Sequence, residues 1–69
     1  MTPRLTPREA EIARLLEAGL SPKEAALHLG VGLGTVRARI KHAAARVPGP
    51  HAPLIRLILW ARETPQKLA

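Results

Sequence analysis

The chain has 69 residues and no cysteine, and its 11 Lys and Arg against five acids give a net charge of +6. A chain of this length forms one small domain, and without cysteine it has neither disulfides nor a thiolate metal site, so packed helices must stabilise it. The longest apolar run, residues 57–61, is far shorter than the roughly 20 residues that span a bilayer, and the polar start carries no secretory signal. We therefore expect a soluble cytoplasmic protein that binds no membrane.

The first predicted helix covers residues 7–18. Before it, Thr-Pro-Arg-Glu at residues 6–9 has the pattern of a capping box, in which Thr6 accepts from a first-turn amide and Glu9 reaches back to the cap. Gly19 is the predicted C-cap. Helical periodicity predicts a buried stripe of Ile12, Leu15 and Leu16.

The second predicted helix covers residues 22–29 and repeats this pattern, with Ser21 as cap and Glu24 three residues later. It stops at Gly30. We interpret Gly30 and Gly32 as turn residues with positive φ, because glycine adopts that conformation without steric strain.

The third predicted helix begins near Leu33 and ends before Pro48. Residues 33–46 carry four cations and no acid, whereas the charges of residues 1–32 sum to zero, and a solvated surface would mix its signs. At 100° per residue the predicted core face consists of Val36, Ile40, Ala43 and Val47. The opposite face consists of Gly34, Arg37, Ala38, Lys41 and Ala45, and the edge strip of Thr35, Arg39 and Arg46.

Residues 48–52 form a linker rich in Pro and Gly, and a fourth helix is predicted over residues 53–62. Its core face is Leu54, Leu57 and Ala61, with help from Ile58. Ile55 and Leu59 lie roughly opposite, where they either contact a partner helix or simply face water. No strand pattern occurs, so the prediction is one all-α domain over residues 1–69.

The residues of the first three helices resemble a known family. Leu-Thr-Pro-Arg-Glu at 5–9, Ala-Gly-Leu-Ser at 18–21, Lys-Glu at 23–24, Leu-Gly-Val at 29–31 and Gly-Thr-Val-Arg at 34–37 occur in the order and spacing of the LuxR-type helix-turn-helix DNA-binding domain. The match covers residues 5–47. The resemblance implies a four-helix transcriptional regulator whose third helix enters the major groove of double-stranded DNA. The base-reading positions would be Arg37, Ala38 and Lys41.

The resemblance also assigns contacts around that helix. Residues placed near phosphates or the DNA backbone are Lys23, Gly34, Thr35, Arg39, His42 and Arg46. The fourth helix commonly mediates dimerisation in this family, so Ile55 and Leu59 are the expected homodimer contacts. Gly32 stands where a capping Ser or Thr is usual. Only four residues precede the motif, so we expect no receiver or ligand-binding domain in this chain.

Catalysis, metals and cofactors are not expected. The only serine, Ser21, is committed to capping, and the three histidines lack i, i+4 spacing among themselves and have no Cys or Asp companions. The glycine-rich stretch 30–35 follows a helix and has no Walker lysine, so it is not a nucleotide loop. A second hypothesis is a protein-interaction module of the transcription machinery, either a sigma region 4-like fragment or an adaptor, which contacts RNA polymerase through Leu27 and the fourth helix.

Overall fold

The computed structural model describes residues 4–64, and in this part of the chain it contains four α-helices and no strand. They are α1 (Pro7–Glu17), α2 (Pro22–Leu29), α3 (Leu33–Ala44) and α4 (Pro53–Glu63). The predicted all-α fold of four helices is confirmed. None of the helices within residues 4–64 combines the length and apolar content that a membrane span requires.

Both predicted capping boxes are present at the starts of α1 and α2. The Glu9 amide donates to Thr6 Oγ1 at 3.2 Å, and the Thr6 amide donates to Glu9 Oε1 at 3.0 Å. The equivalent distances between Glu24 and Ser21 are 3.2 Å and 2.8 Å. Each box satisfies first-turn amides that no helix carbonyl can reach, which fixes where these two helices begin.

The ends of α1 and α2 share a Schellman motif. The Leu20 amide donates to the Leu15 carbonyl across Gly19, and the Val31 amide donates to the Ala26 carbonyl across Gly30. Gly19 has φ +104° and Gly30 has φ +71°, so glycine suits both positions. The cap of α1 is Ala18, one residue before the predicted Gly19.

Two predictions about the boundaries of α3 were wrong. Gly32 is the N-cap with φ −76° in extended backbone, so it does not supply the positive φ that we expected. The helix ends at Ala44 and does not include Arg46, because the Arg46 and Val47 amides donate to carbonyls three residues back, which tightens the chain out of the α-helix.

The core lies where α3 packs against the other three helices, and α1 also packs against α2 and α4. The predicted core face of α3 is confirmed: Val36, Ile40, Ala43 and Val47 are buried. They meet Ile12, Ala13 and Leu16 of α1, Ala25 and Ala26 of α2, and Leu57 and Ala61 of α4, which belong to the same apolar cluster. The many alanines let the helix axes approach closely, because an alanine fills little space between them.

Trp60 of α4 is a core residue that the sequence analysis missed. It is buried in the apolar cluster, and the Arg14 guanidinium of α1 lies 5.5 Å from its ring centroid. Arg14 Nη1 also donates to the Thr64 carbonyl at 2.9 Å, just beyond the end of α4. Arg14 of α1 thus contacts α4 at Trp60 and at the carbonyl that follows its last residue.

Leu57 is fully buried, and we expect its replacement by alanine to be the most informative test of the core. Leu57→Ala should lower the free energy of unfolding by about 2–5 kcal/mol, since it leaves a cavity between α4 and its neighbours. Leu27→Ala is the matched control, because Leu27 is 75% exposed on α2. Urea denaturation followed by circular dichroism measures both. Equal losses in the two variants would contradict this core.

Candidate nucleic-acid interface

The side of α3 opposite the core is exposed and basic. Arg37, Ala38 and Lys41 are all exposed, whereas Val36 and Ile40 on the other side are buried. Arg37 and Lys41 are four residues apart, so they lie one above the other along the helix. The side chains of Arg37, Arg39 and Lys41 form no hydrogen bond or ion pair with any residue in the range 4–64. Their donors are therefore available to a ligand.

The other predicted contact residues of α2 and α3 are also exposed. Thr35, Arg39 and His42 are exposed on α3, while Lys23 is exposed on a different helix, in the first turn of α2. A Cβ added at Gly34 would have no heavy atom within 4 Å, so the backbone there is open to close approach. The structure thus presents Gly34, Thr35, Arg37, Ala38, Arg39, Lys41 and His42 along exposed parts of one helix.

The N-terminus of α3 differs from those of α1 and α2. Its N-cap Gly32 offers no side-chain acceptor, and the first turn contains no acid. The partial positive charge of this helix end is therefore not offset by its own sequence.

Arg46 has a partner that the sequence analysis did not foresee. Its guanidinium donates two hydrogen bonds of 2.7 Å to the Glu9 carboxylate, Nη1 to Oε1 and Nη2 to Oε2. Arg46 thus lies beyond the end of α3 and is joined to the start of α1. The prediction that Arg46 sits on the edge strip of the helix was wrong, because the chain leaves the α-helix at Ala44.

Glu9 is the only buried charged or polar residue in the described part of the chain. Its predicted capping role is confirmed, but its burial was not predicted. The signal was available: Glu9 precedes Ile12, Ala13 and Leu16 at the spacing of the buried face of α1. A carboxylate on a core stripe requires a charged partner, and Arg46 supplies it.

Opposing effects act on the pKa of Glu9. Burial raises it, but the hydrogen bond from the Thr6 amide and the hydrogen bonds and charge of Arg46 together outweigh burial. The net result is a pKa below the ordinary value of 4.5. The ionised carboxylate is therefore the form that the folded protein stabilises.

The arrangement of α2, the turn and α3 defines the class of this domain. Two helices joined by a tight turn, the second presenting an exposed and acid-free basic face, form a helix-turn-helix domain. A family model for the homeodomain-like domain matches residues 5–50, two thirds of the chain, and the chain belongs to this family. The family is a DNA-binding fold, which suggests DNA binding for this chain. Searches against curated proteins and against solved structures found no match.

The lowered pKa of Glu9 predicts how the free energy of unfolding depends on pH. Because the folded-state pKa lies below the unfolded one, Glu9 contributes its full stabilisation above the unfolded pKa and loses it as the pH falls through the folded pKa. Urea denaturation should show stability that falls as the pH drops below the ordinary Glu9 pKa of 4.5. The decline should be shallower in Glu9→Gln, which has no carboxylate to protonate. Identical pH profiles for the two proteins would contradict the ion pair.

Proposed function

We propose that this domain binds double-stranded DNA in a sequence-specific manner and regulates transcription, with α3 in the major groove. The observation that carries the proposal is the exposed face of α3, whose cations have no partner within residues 4–64. An α-helix fits the major groove, where long donors reach base edges. The quoted motifs between residues 5 and 47 support assignment to the LuxR-type branch of helix-turn-helix domains.

Base reading is assigned to Arg37, Ala38 and Lys41. The Arg37 guanidinium can donate two hydrogen bonds to O6 and N7 of a guanine, and Lys41, one turn later, can reach a neighbouring base. Ala38 between them is small enough for the helix to approach the base pairs and can contact a thymine methyl group.

Phosphate contacts are assigned to the residues around this face. Arg39 and Lys23 are exposed cations that lie on different helices, so they can hold the backbone at two places. Thr35 and His42 add polar side chains, and Gly34 lets a phosphate come close to the first turn of α3. Such contacts set the register of the protein on the duplex and carry no sequence information.

The first test is binding to duplexes selected from a random pool, followed by fluorescence anisotropy at several salt concentrations. Arg37→Ala should weaken the selected duplex about tenfold and relax the base preference. Arg39→Ala should weaken all duplexes alike and reduce the slope of log K against log salt by about 0.9. Arg8→Ala is the matched control, because Arg8 is an exposed cation paired with Glu11 on α1.

Two outcomes would contradict this function. One is binding that does not change with salt, since phosphate contacts release counterions. The other is an effect of Arg8→Ala as large as that of Arg37→Ala, which would indicate a diffuse attraction to positive charge.

We further propose a homodimer through α4. Ile55 is 41% exposed, and Leu59 is half-buried and lies outside the apolar cluster of the core. The two residues are one helical turn apart, so they can pack against the same side of a second α4. A dimer would read two half-sites one turn of DNA, ~10 bp, apart.

Sedimentation equilibrium at micromolar concentration tests the dimer. The wild-type chain should be dimeric, and Leu59→Glu should be monomeric while its circular dichroism stays helical, because a charge cannot be buried unpaired. Leu27→Glu, which adds the same charge at an exposed leucine of α2, should remain dimeric. A monomeric wild type, or equal dissociation of both variants, would overturn this interface.

One observation favours the second candidate function, a protein-interaction module of the transcription machinery. Leu27 is 75% exposed and Val31 is 37% exposed, so apolar side chains face solvent near the turn before α3. A sigma region 4-like fragment or an adaptor would bind RNA polymerase there. Co-sedimentation with RNA polymerase, lost in Leu27→Glu, together with no affinity of the chain for any duplex, would favour this candidate over DNA binding.

A further inference from the structure

The bidentate ion pair of Glu9 and Arg46 lies just beyond the end of α3. We propose that Arg46 is a positioning residue for the recognition helix, which it orients through Glu9, and that it is not a phosphate ligand. This inference rests on the proposed DNA-binding function and deepens it, because it assigns a role in specificity to a residue outside the reading face.

The Glu9 carboxylate accepts three hydrogen bonds within the domain. Glu9 accepts from the Thr6 amide at 3.0 Å and from both terminal nitrogens of Arg46 at 2.7 Å. Its side chain is only 6% exposed, whereas that of Arg46 is 46% exposed. If Arg46 turned to a phosphate, it would leave a buried carboxylate without its charge partner, which is strongly unfavourable. The exposed part of Arg46 is thus a poor indication of a DNA contact.

The pair also removes the charge of Arg46 from the interface. A carboxylate at 2.7 Å offsets the guanidinium, so this residue adds little to the attraction for a phosphate backbone. The cations that remain without an acid partner on α3 are Arg37, Arg39 and Lys41. We therefore expect Arg46 to add nothing to the number of counterions released on binding.

The position of the pair explains how it orients α3. Arg46 is two residues beyond the last residue of α3, and the next residue, Val47, is buried. Arg56 Nη1 of α4 donates to the Val47 carbonyl at 3.3 Å. The end of α3 is thus held from α1 through Glu9 and from α4 through Arg56. Loss of the first contact lets the helix pivot, which displaces Arg37 and Lys41 from the bases.

Two conservative variants separate this role from a phosphate contact. Glu9→Gln keeps the size and the capping-box acceptor but loses the charge, since Gln also serves at the third position of a capping box. Arg46→Lys keeps the charge but loses the planar fork that donates two hydrogen bonds to one carboxylate. Glu17→Gln is the control for Glu9→Gln. It also removes an acid from α1 and changes the net charge by the same amount, but Glu17 belongs to an exposed pair with Arg62.

The experiment measures affinity by anisotropy for the selected duplex and for a random duplex, at a temperature where circular dichroism shows each variant folded. Glu9→Gln and Arg46→Lys should each lower the ratio of specific to random affinity about tenfold relative to Glu17→Gln. Arg46→Lys, which leaves both charges of the pair in place, should keep the wild-type salt slope. The ratio of specific to random affinity should fall about as far in the double variant as in either single variant, because the two residues act as one unit.

Other outcomes overturn the proposal. A phosphate ligand would bind more tightly in Glu9→Gln, which releases Arg46, and would tolerate Arg46→Lys. A purely structural pair would lower the folded fraction and leave the ratio of affinities unchanged. If Glu9→Gln does not fold, Arg46→Lys alone decides between these results. A wild type that selects no duplex overturns the proposed function itself, whereas a specific wild type with unchanged ratios in the variants overturns only the positioning role.

Discussion

The packing of α3 against the other three helices is the constraint on which the rest of the structure depends. Val36 and Ala43 are completely buried, so α3 cannot rotate about its axis without exposing apolar surface and burying cations. That rotation decides which residues face outward, and Arg37 and Lys41 do so because they lie opposite the buried side. The candidate interface is thus the side of α3 that does not pack in the core. The packing of the opposite side holds this interface rigid.

Local capping sets the ends of α1 and α2, whereas contacts with other helices hold α3. α1 and α2 begin in capping boxes and end in Schellman motifs, so their limits are set locally. α3 and α4 have no side-chain cap hydrogen bond, and α3 is held at its end by Glu9 of α1 and Arg56 of α4. A helix fixed mainly by its neighbours takes its orientation from them, which agrees with the proposed role of α3 in the major groove.

The sequence predicted what depends on near neighbours in the chain. Capping patterns, glycine positions and helical periodicity placed all four helices, with errors confined to their ends and to the turn at Gly32. They also indicated which side of α3 is exposed. Periodicity could not reveal that Arg46 meets Glu9 across 37 residues, or that Arg14 covers Trp60. Such pairs depend on how the helices are arranged in space. The sequence around either residue does not indicate which distant residue it will contact.

Glu9 connects the start of α1 to the end of α3. The same carboxylate accepts from the amide of Thr6, the N-cap of α1, and from Arg46, two residues beyond the end of α3, so fraying at the start of α1 weakens the contact that holds the end of α3. Local opening in small proteins usually begins at such termini, independently of one another. Here the shared carboxylate couples the opening of Thr6 to that of Arg46. We therefore expect the start of α1 and the end of α3 to open as one cooperative unit. The first turn of α1 would then support the proposed DNA contact, although it lies outside the turn between α2 and α3.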